Sequence, residues 1–189
     1  MTKSKWTVRM MYLAQVISTW SKDSDHQVGA VIVDDRNRVL AHGYNGPPPG
    51  VIDDGMDRES ETLRTLHAEL NAILNARGSL RGSIMYIFPF GPCAQCSAAI
   101  IQKGIKRVIY FDDAFLGKWD RSQKEGILLL REAGVEIYNY SSHIDPSDED
   151  PFPGQVKKVE HPGQGWRKPN EERVVFMTEE ELEAYTKKL

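Results

Sequence analysis

Cysteine is nearly absent from this chain: 189 residues contain two, Cys93 and Cys96. Two cysteines three positions apart build no disulfide framework, which excludes a small stapled secreted fold and makes a reducing cytoplasm the expected compartment. A basic excess is also missing. The net charge of −3 offers no footprint for a nucleic-acid backbone and argues against nucleic acid as the main partner. No stretch approaches the ~18 apolar residues of a membrane span, and the first residues, Met1 to Arg9, lack the apolar core of a leader peptide. There is no internal repeat. What is present is ordinary: 40% apolar and 27% charged residues, enough for one soluble domain with a real core and no membrane partner.

The two cysteines follow a proline, as Pro92-Cys93-Ala94-Gln95-Cys96, and upstream stands His67-Ala68-Glu69. Two thiolates and an imidazole suit Zn²⁺ better than Mg²⁺ or Ca²⁺. Three protein donors leave one tetrahedral position for water, as in a catalytic rather than a closed structural zinc site. Glu69 is then the candidate proton carrier. Cys93 and Cys96 open the apolar run Ser97-Ala98-Ala99-Ile100-Ile101, where the positive end of a helix favours thiolate over thiol. A redox Cys-x-x-Cys calls for a thioredoxin-like context, which this is not. A closed site of two cysteines and two histidines needs a second histidine, and none of His26, His42, His143 and His161 stands at the usual spacing from His67. The pattern matches, rather than derives, the known H-x-E…P-C-x-x-C signature of zinc-dependent nucleobase deaminases.

Along the chain, Trp6, Met10, Leu13, Val16, Ile17 and Trp20 recur at helical spacing and predict an amphipathic first helix. The β-branched run 28–33, the turn residues 34–37 and the run 38–41 predict a hairpin. The Gly- and Pro-rich segment 43–50 is not expected to continue a strand, and an ordered loop is expected through Glu61. A helix follows over 62–76, with Leu63, Leu66, Leu70, Ile73 and Leu74 as its buried stripe and His67 within it. A strand over 84–88, a helix over 93–103 ended by Gly104, a strand over 107–111, a helix over 122–133 and a strand over 135–140 complete the pattern. Alternating helices and strands after a hairpin imply an α/β fold, a mixed sheet with helices on both faces. In it two helix starts can converge on one ion. Residues 1–140 read as the domain, and 141–189 as an arm-like extension with a short charged helix from Thr178.

Further stretches carry a resemblance. They are Ser21-Lys22-Asp23, Gln27-Val28-Gly29-Ala30-Val31-Ile32-Val33, Gly43-Tyr44-Asn45-Gly46, His67 to Leu74 and Ile100-Ile101-Gln102-Lys103-Gly104-Ile105. With the two motifs, they make the chain from about Trp6 to Tyr140 resemble the zinc-dependent cytidine and deoxycytidylate deaminase superfamily, its deoxycytidylate (dCMP) branch most of all. The resemblance implies a three-layer α/β/α fold on a mixed five-stranded sheet. It implies His67, Cys93 and Cys96 as ligands of one Zn²⁺ per subunit, and Glu69 as proton shuttle for hydroxide attack on C4 of cytosine, giving dUMP and ammonia. Asn45 and Ala68 are implied at the substrate, together with Phe115, Lys118 and Arg121 from the segment before the last helix. Tyr44, Asn45, Gly46 and Gly50 form the loop expected to bind an allosteric dCTP or dTTP with Mg²⁺. A homo-oligomer, a hexamer in the family pattern, is the implied assembly. The chain departs from some relatives in having no spare cysteine for a second zinc, and in its Phe88-Pro89-Phe90-Gly91 lead-in to Pro92, expected to reshape the pocket wall. The competing readings are deamination of another cytosine or purine nucleoside or nucleotide, a tRNA adenosine deaminase, and a zinc-stapled interaction module without turnover.

Overall fold

The computed structural model describes residues 5–52, 55, 57–111 and 120–140. The extension expected over 141–189, with Phe115 and Lys118, lies outside them. The elements run α1 (Lys5–Ser18), β1 (Gly29–Val33), β2 (Val39–Tyr44), α2 (Arg58–Arg64), α3 (Ala68–Asn75), β3 (Ile84–Phe88), α4 (Ala94–Lys103), β4 (Arg107–Tyr110), α5 (Asp120–Glu132) and β5 (Glu136–Asn139). The strands form one sheet in the order β2-β1-β3-β4-β5. β1 is antiparallel to both neighbours, and β3, β4 and β5 are parallel.

Side-chain alternation along the strands sorts the core into two layers. Val31, Val33, Ile84, Tyr86, Phe88 and Ile109 meet Met10, Met11, Ala14 and Ile17 of α1. Ala30, Ile32, Met85, Ile87 and Val108 meet Ala68, Ala72 and Ile73 of α3, Ile100 of α4 and Leu130 of α5. Helices therefore cover both faces, as expected. Among the described residues no helix is long and apolar enough to cross a membrane.

Two glycines decide how closely the helices approach. A Cβ on Gly29 would overlap the carbonyl of Ala14 and the amide of Ser18, and one on Gly43 would overlap the backbone of Ala68, Asn71 and Ala72. Contact this close selects small residues where each helix meets its glycine, so Met10, Ile17 and Ile73 of the expected stripes are buried but other members of those stripes are not. On α1, Ala14 and Ser18 are buried while Trp6, Val16 and Trp20 are exposed. On α3, Ala68, Glu69, Ala72 and Ile73 are buried, while Leu74 is 70% exposed and Leu70 half-buried; Leu63, on α2, is 81% exposed, and Leu66, between the two helices, is half-buried.

The single helix expected over 62–76 is broken. Leu66 leaves helical geometry to exchange backbone bonds with Gly46, Leu66 N–H to Gly46 O at 2.9 Å and Gly46 N–H to Leu66 O at 3.1 Å. α2 begins at Arg58, inside the expected loop, because Asp57 caps it by accepting from the amide of Ser60 at 2.9 Å. β2 also runs through Gly43 and Tyr44, since this edge strand meets its proline only at position 47.

The Gly43→Ala variant is expected to lose about 1–3 kcal/mol through overpacking against α3. Urea unfolding should show a lower midpoint with an unchanged slope.

Candidate metal and catalytic centre

Gly29, Tyr44 and Phe88 lie opposite one another in the sheet, so the start of β1 and the ends of β2 and β3 share one edge. The candidate site stands at that edge. His67 is the N-cap of α3 and Cys93 the N-cap of α4, both with extended backbone. His67 is thus a residue earlier than the helix expected to contain it, because the Gly46 bridge ends α2 before it. Glu69, in the first turn of α3, is 4% exposed.

The Nδ1 atom of His67 is 3.5 Å from Sγ of Cys93 and 3.5 Å from Sγ of Cys96. Tetrahedral zinc, with bonds of about 2.3 Å to sulfur and 2.0–2.1 Å to nitrogen, sets these atoms about 3.6 Å apart. All three donor atoms lie within 4.8 Å of one another. The residues therefore fit Zn²⁺ by spacing as well as by donor chemistry.

The protons are distributed as four crowded groups require. A hydrogen bond from the Cys96 thiol, followed by His67, holds Cys93 down to about 4 against the cost of burial. Cys96 is pushed well up by that same bond to the Cys93 thiolate and by burial. His67 is raised, first by its hydrogen bond with Cys93. Burial raises Glu69 to about 7, with the His67 charge opposing it. A carboxyl poised near neutrality is suited to taking and returning a proton.

Beside these groups opens a cleft continuous with solvent. His67, Ala68, Glu69 and Cys93 line its floor, with Asn45 on one wall. The amide of Asn45 is pinned: Nδ2 donates to the carbonyl of His26 at 2.8 Å, and Oδ1 accepts from the amide of Val28 at 2.7 Å. The lead-in to Pro92 does form wall, through Phe90 and Gly91, after a cis Phe88–Pro89 bond.

Tyr44, Gly46 and Gly50 do not line the cleft. Tyr44 packs edge-on against Trp20, and Gly50 takes a left-handed φ of 86°. Arg121 is exposed on the first turn of α5 and does not line the cleft, whereas Gln123 of the same helix does. Sequence reasoning missed Asp23, His26, Arg58, Thr62, Thr65 and Gln123 as lining residues. A capped Asp57-Arg58-Glu59 start was the available signal for α2. Asp23 is half-buried, which costs its charge, but the amides of His26 and Asp25 and the Arg58 guanidinium more than offset this and hold its carboxyl below the ordinary range.

Helix-borne His, Cys and Cys donors with a buried glutamate, on a mixed sheet of order 2-1-3-4-5, define a zinc-site hydrolase of the α/β class. Residues 4–112 match the family model of the cytidine and deoxycytidylate deaminase zinc-binding region, and the chain belongs to that family. It is 42% identical over 138 residues to the uncharacterized deaminase in the luxG 3′ region of Aliivibrio fischeri, covering 71% of this chain and 92% of that one. It is 38% identical over 145 residues to human deoxycytidylate deaminase, covering 72% and 80%. The crystal structure of dCMP deaminase from cyanophage S-TIM5, in apo form, aligns with a TM-score of 0.60 at 30% identity, covering 73% of this chain and 99% of that one. The same phage enzyme in complex with dCMP and dUMP aligns with a TM-score of 0.57.

Zinc binding must displace protons from Cys96 and His67, whose affinities for protons are both raised. The apparent zinc affinity should therefore fall as pH falls, by up to about tenfold per unit for each proton displaced. Titration with a competing chelator across pH measures this, and a flat profile would count against the assignment. The Cys96→Ser variant should lose more affinity than the ~10–100-fold that removal of a supporting partner costs.

Proposed function

We propose that this protein hydrolyses dCMP to dUMP and ammonia, supplying dUMP for thymidylate synthesis. The observation that carries the reading is the buried Glu69 beside His67, Cys93 and Cys96, with Glu69, His67 and Cys93 lining an open cleft. The named relatives supply the substrate.

Zinc, when held by His67, Cys93 and Cys96, supplies Lewis acidity and a water made more acidic. Glu69 would take a proton from the attacking water as the water's oxygen bonds to C4, and would deliver that proton to N3. It then carries the second proton of the same water to the amino group. The C4–N4 bond breaks, ammonia departs, and a C4 carbonyl remains. Ala68 offers one of the amides that the first turn of α3 leaves without an intrahelical partner. Val28 and Phe90 offer apolar surface to the ring. Asn45, with one Nδ2 hydrogen committed to His26, keeps the other for the sugar. Lys118, Phe115 and Arg121 belong to this reading as contacts to the substrate's far end.

Residues 1–140 would constitute the catalytic unit. Control by dCTP or dTTP with Mg²⁺ at the loop of Tyr44, Asn45, Gly46 and Gly50 belongs to the same proposal. So does a homo-oligomer, supported by exposed Leu63 and Leu74. A cytoplasmic location is supported by free cysteines placed as metal donors. A second reading has an observation of its own: three carboxylates, Asp23, Asp25 and Glu61, surround one guanidinium at the cleft, a charge balance that favours an unphosphorylated nucleoside.

Ammonia release should be measured for dCMP, deoxycytidine and CMP. Preference for dCMP is expected; preference for deoxycytidine selects the second reading, and no turnover with any of the three overturns both. The Glu69→Gln variant should keep zinc and fold and lose about 10²–10⁴-fold in kcat. An interaction module would be indifferent to that substitution.

A further inference from the structure

Arg58 stands where two walls of the cleft meet. On one side is the segment from Ser21 to Val28, which has no regular structure and is knotted by polar bonds. Asp23 Oδ1 accepts from the amides of Asp25 and His26, both at 2.9 Å. Ser21 Oγ accepts from the amide of Asp23 at 3.2 Å and donates to the carbonyl of Asn45 at 2.8 Å. Through these bonds Asp23 is connected to His26 and Asn45, both in the cleft lining. On the other side is α2, which lines the cleft with Thr62 and buries no residue of its own. Its seven residues fall short of the ~12–15 that make an isolated helix even marginal in water. Something outside α2 must therefore hold it in place. The bridge between Gly46 and Leu66 holds the segment after its last turn. At its first residue, Arg58 Nη1 meets Asp23 Oδ1 at 3.1 Å, and Arg58 Nε meets Asp25 Oδ2 at 3.5 Å.

We propose that Arg58 is a positioning residue for substrate: its pair with Asp23 clamps α2 to the Ser21–Val28 segment and so sets the width of the cleft in which the sugar and 5′ group lie. The Asp23 side chain is 11% exposed and that of Asp25 49%, so the Asp23 contact is the sheltered one and the other a rim pair of little energy. Glu61, one turn along α2 and 2.8 Å from Nη1, orients the guanidinium from its own helix. The fork geometry matters, because a single ammonium cannot reach all three carboxylates in this arrangement. Catalysis does not pass through the clamp. Glu69 sits on α3, which is seated separately on Gly43.

The substrate assignment in this inference rests on the deaminase reading above, but the clamp can be tested without it. In the Arg58→Met variant, amides of 21–28 and 58–65 should exchange with deuterium about tenfold faster or more, as local opening requires, with 68–75 and 84–88 unchanged. KM for the preferred nucleotide should rise about tenfold or more while kcat moves far less, with zinc content intact. Arg58→Lys should fall between the two. Unchanged exchange in both segments would overturn the clamp, as would kcat and zinc content falling together with a general loss of protection. If wild-type protein turns over none of dCMP, deoxycytidine and CMP, the deaminase reading fails and the exchange result alone decides the clamp.

Discussion

The close seating of α3 on β2 at Gly43 is the constraint on which the site depends. Backbone of α3 occupies the space a side chain would need at that strand position, so the first turn of the helix is held at the edge of the sheet. That edge is also where β3 ends and the chain turns toward α4. Two helix starts thereby face one another, with His67 capping one and Cys93 capping the other. Small residues on the helix, not large ones, make this possible. Ala68 and Ala72 do for α3 what Ala14 and Ser18 do for α1.

The same seating creates an electrostatic problem that the chemistry uses. Glu69 is drawn into the protein beside two sulfurs, where an anion is poorly solvated and its carboxyl rises to about 7. Cys93 and Cys96 compete for one proton, and His67 leans toward the charged form because Cys93 is a thiolate. A dication at this point resolves the competition by taking both sulfurs as thiolates. The cluster is thus unfinished as a set of protein groups and complete as a set of ligands.

The cleft is built differently from the core beneath it. The floor rests on two apolar layers of a buried sheet. The walls are local: a knot of side-chain to backbone bonds around Ser21, Asp23 and Asn45, the Phe90-Gly91 lead-in, and a short helix that buries nothing. Such walls can be retuned by single residues without loss of the fold, which is the division of labour expected when sites are carried on a rigid scaffold.

Apart from α2, local pattern alone determined the element types, with the hairpin, the α/β class and the donor set His67, Cys93 and Cys96 with Glu69. Each of these is written within a short window, as a periodicity or a motif spacing. Which face each helix buries was decided only in three dimensions. Periodicity places Met10, Ile17 and Ile73 in the core. It also marks Trp6, Val16 and Leu74, which are exposed, and misses Ala14, Ser18, Ala68 and Ala72, which the close approach at Gly29 and Gly43 draws inward. The break before His67 was also tertiary, since Leu66 pairs with Gly46, far away in the chain. Asp23 and Arg58 were invisible as partners for the same reason. An ion pair between a loop and a distant helix leaves no trace in the spacing of either, because its energy depends on a separation that only the folded backbone sets.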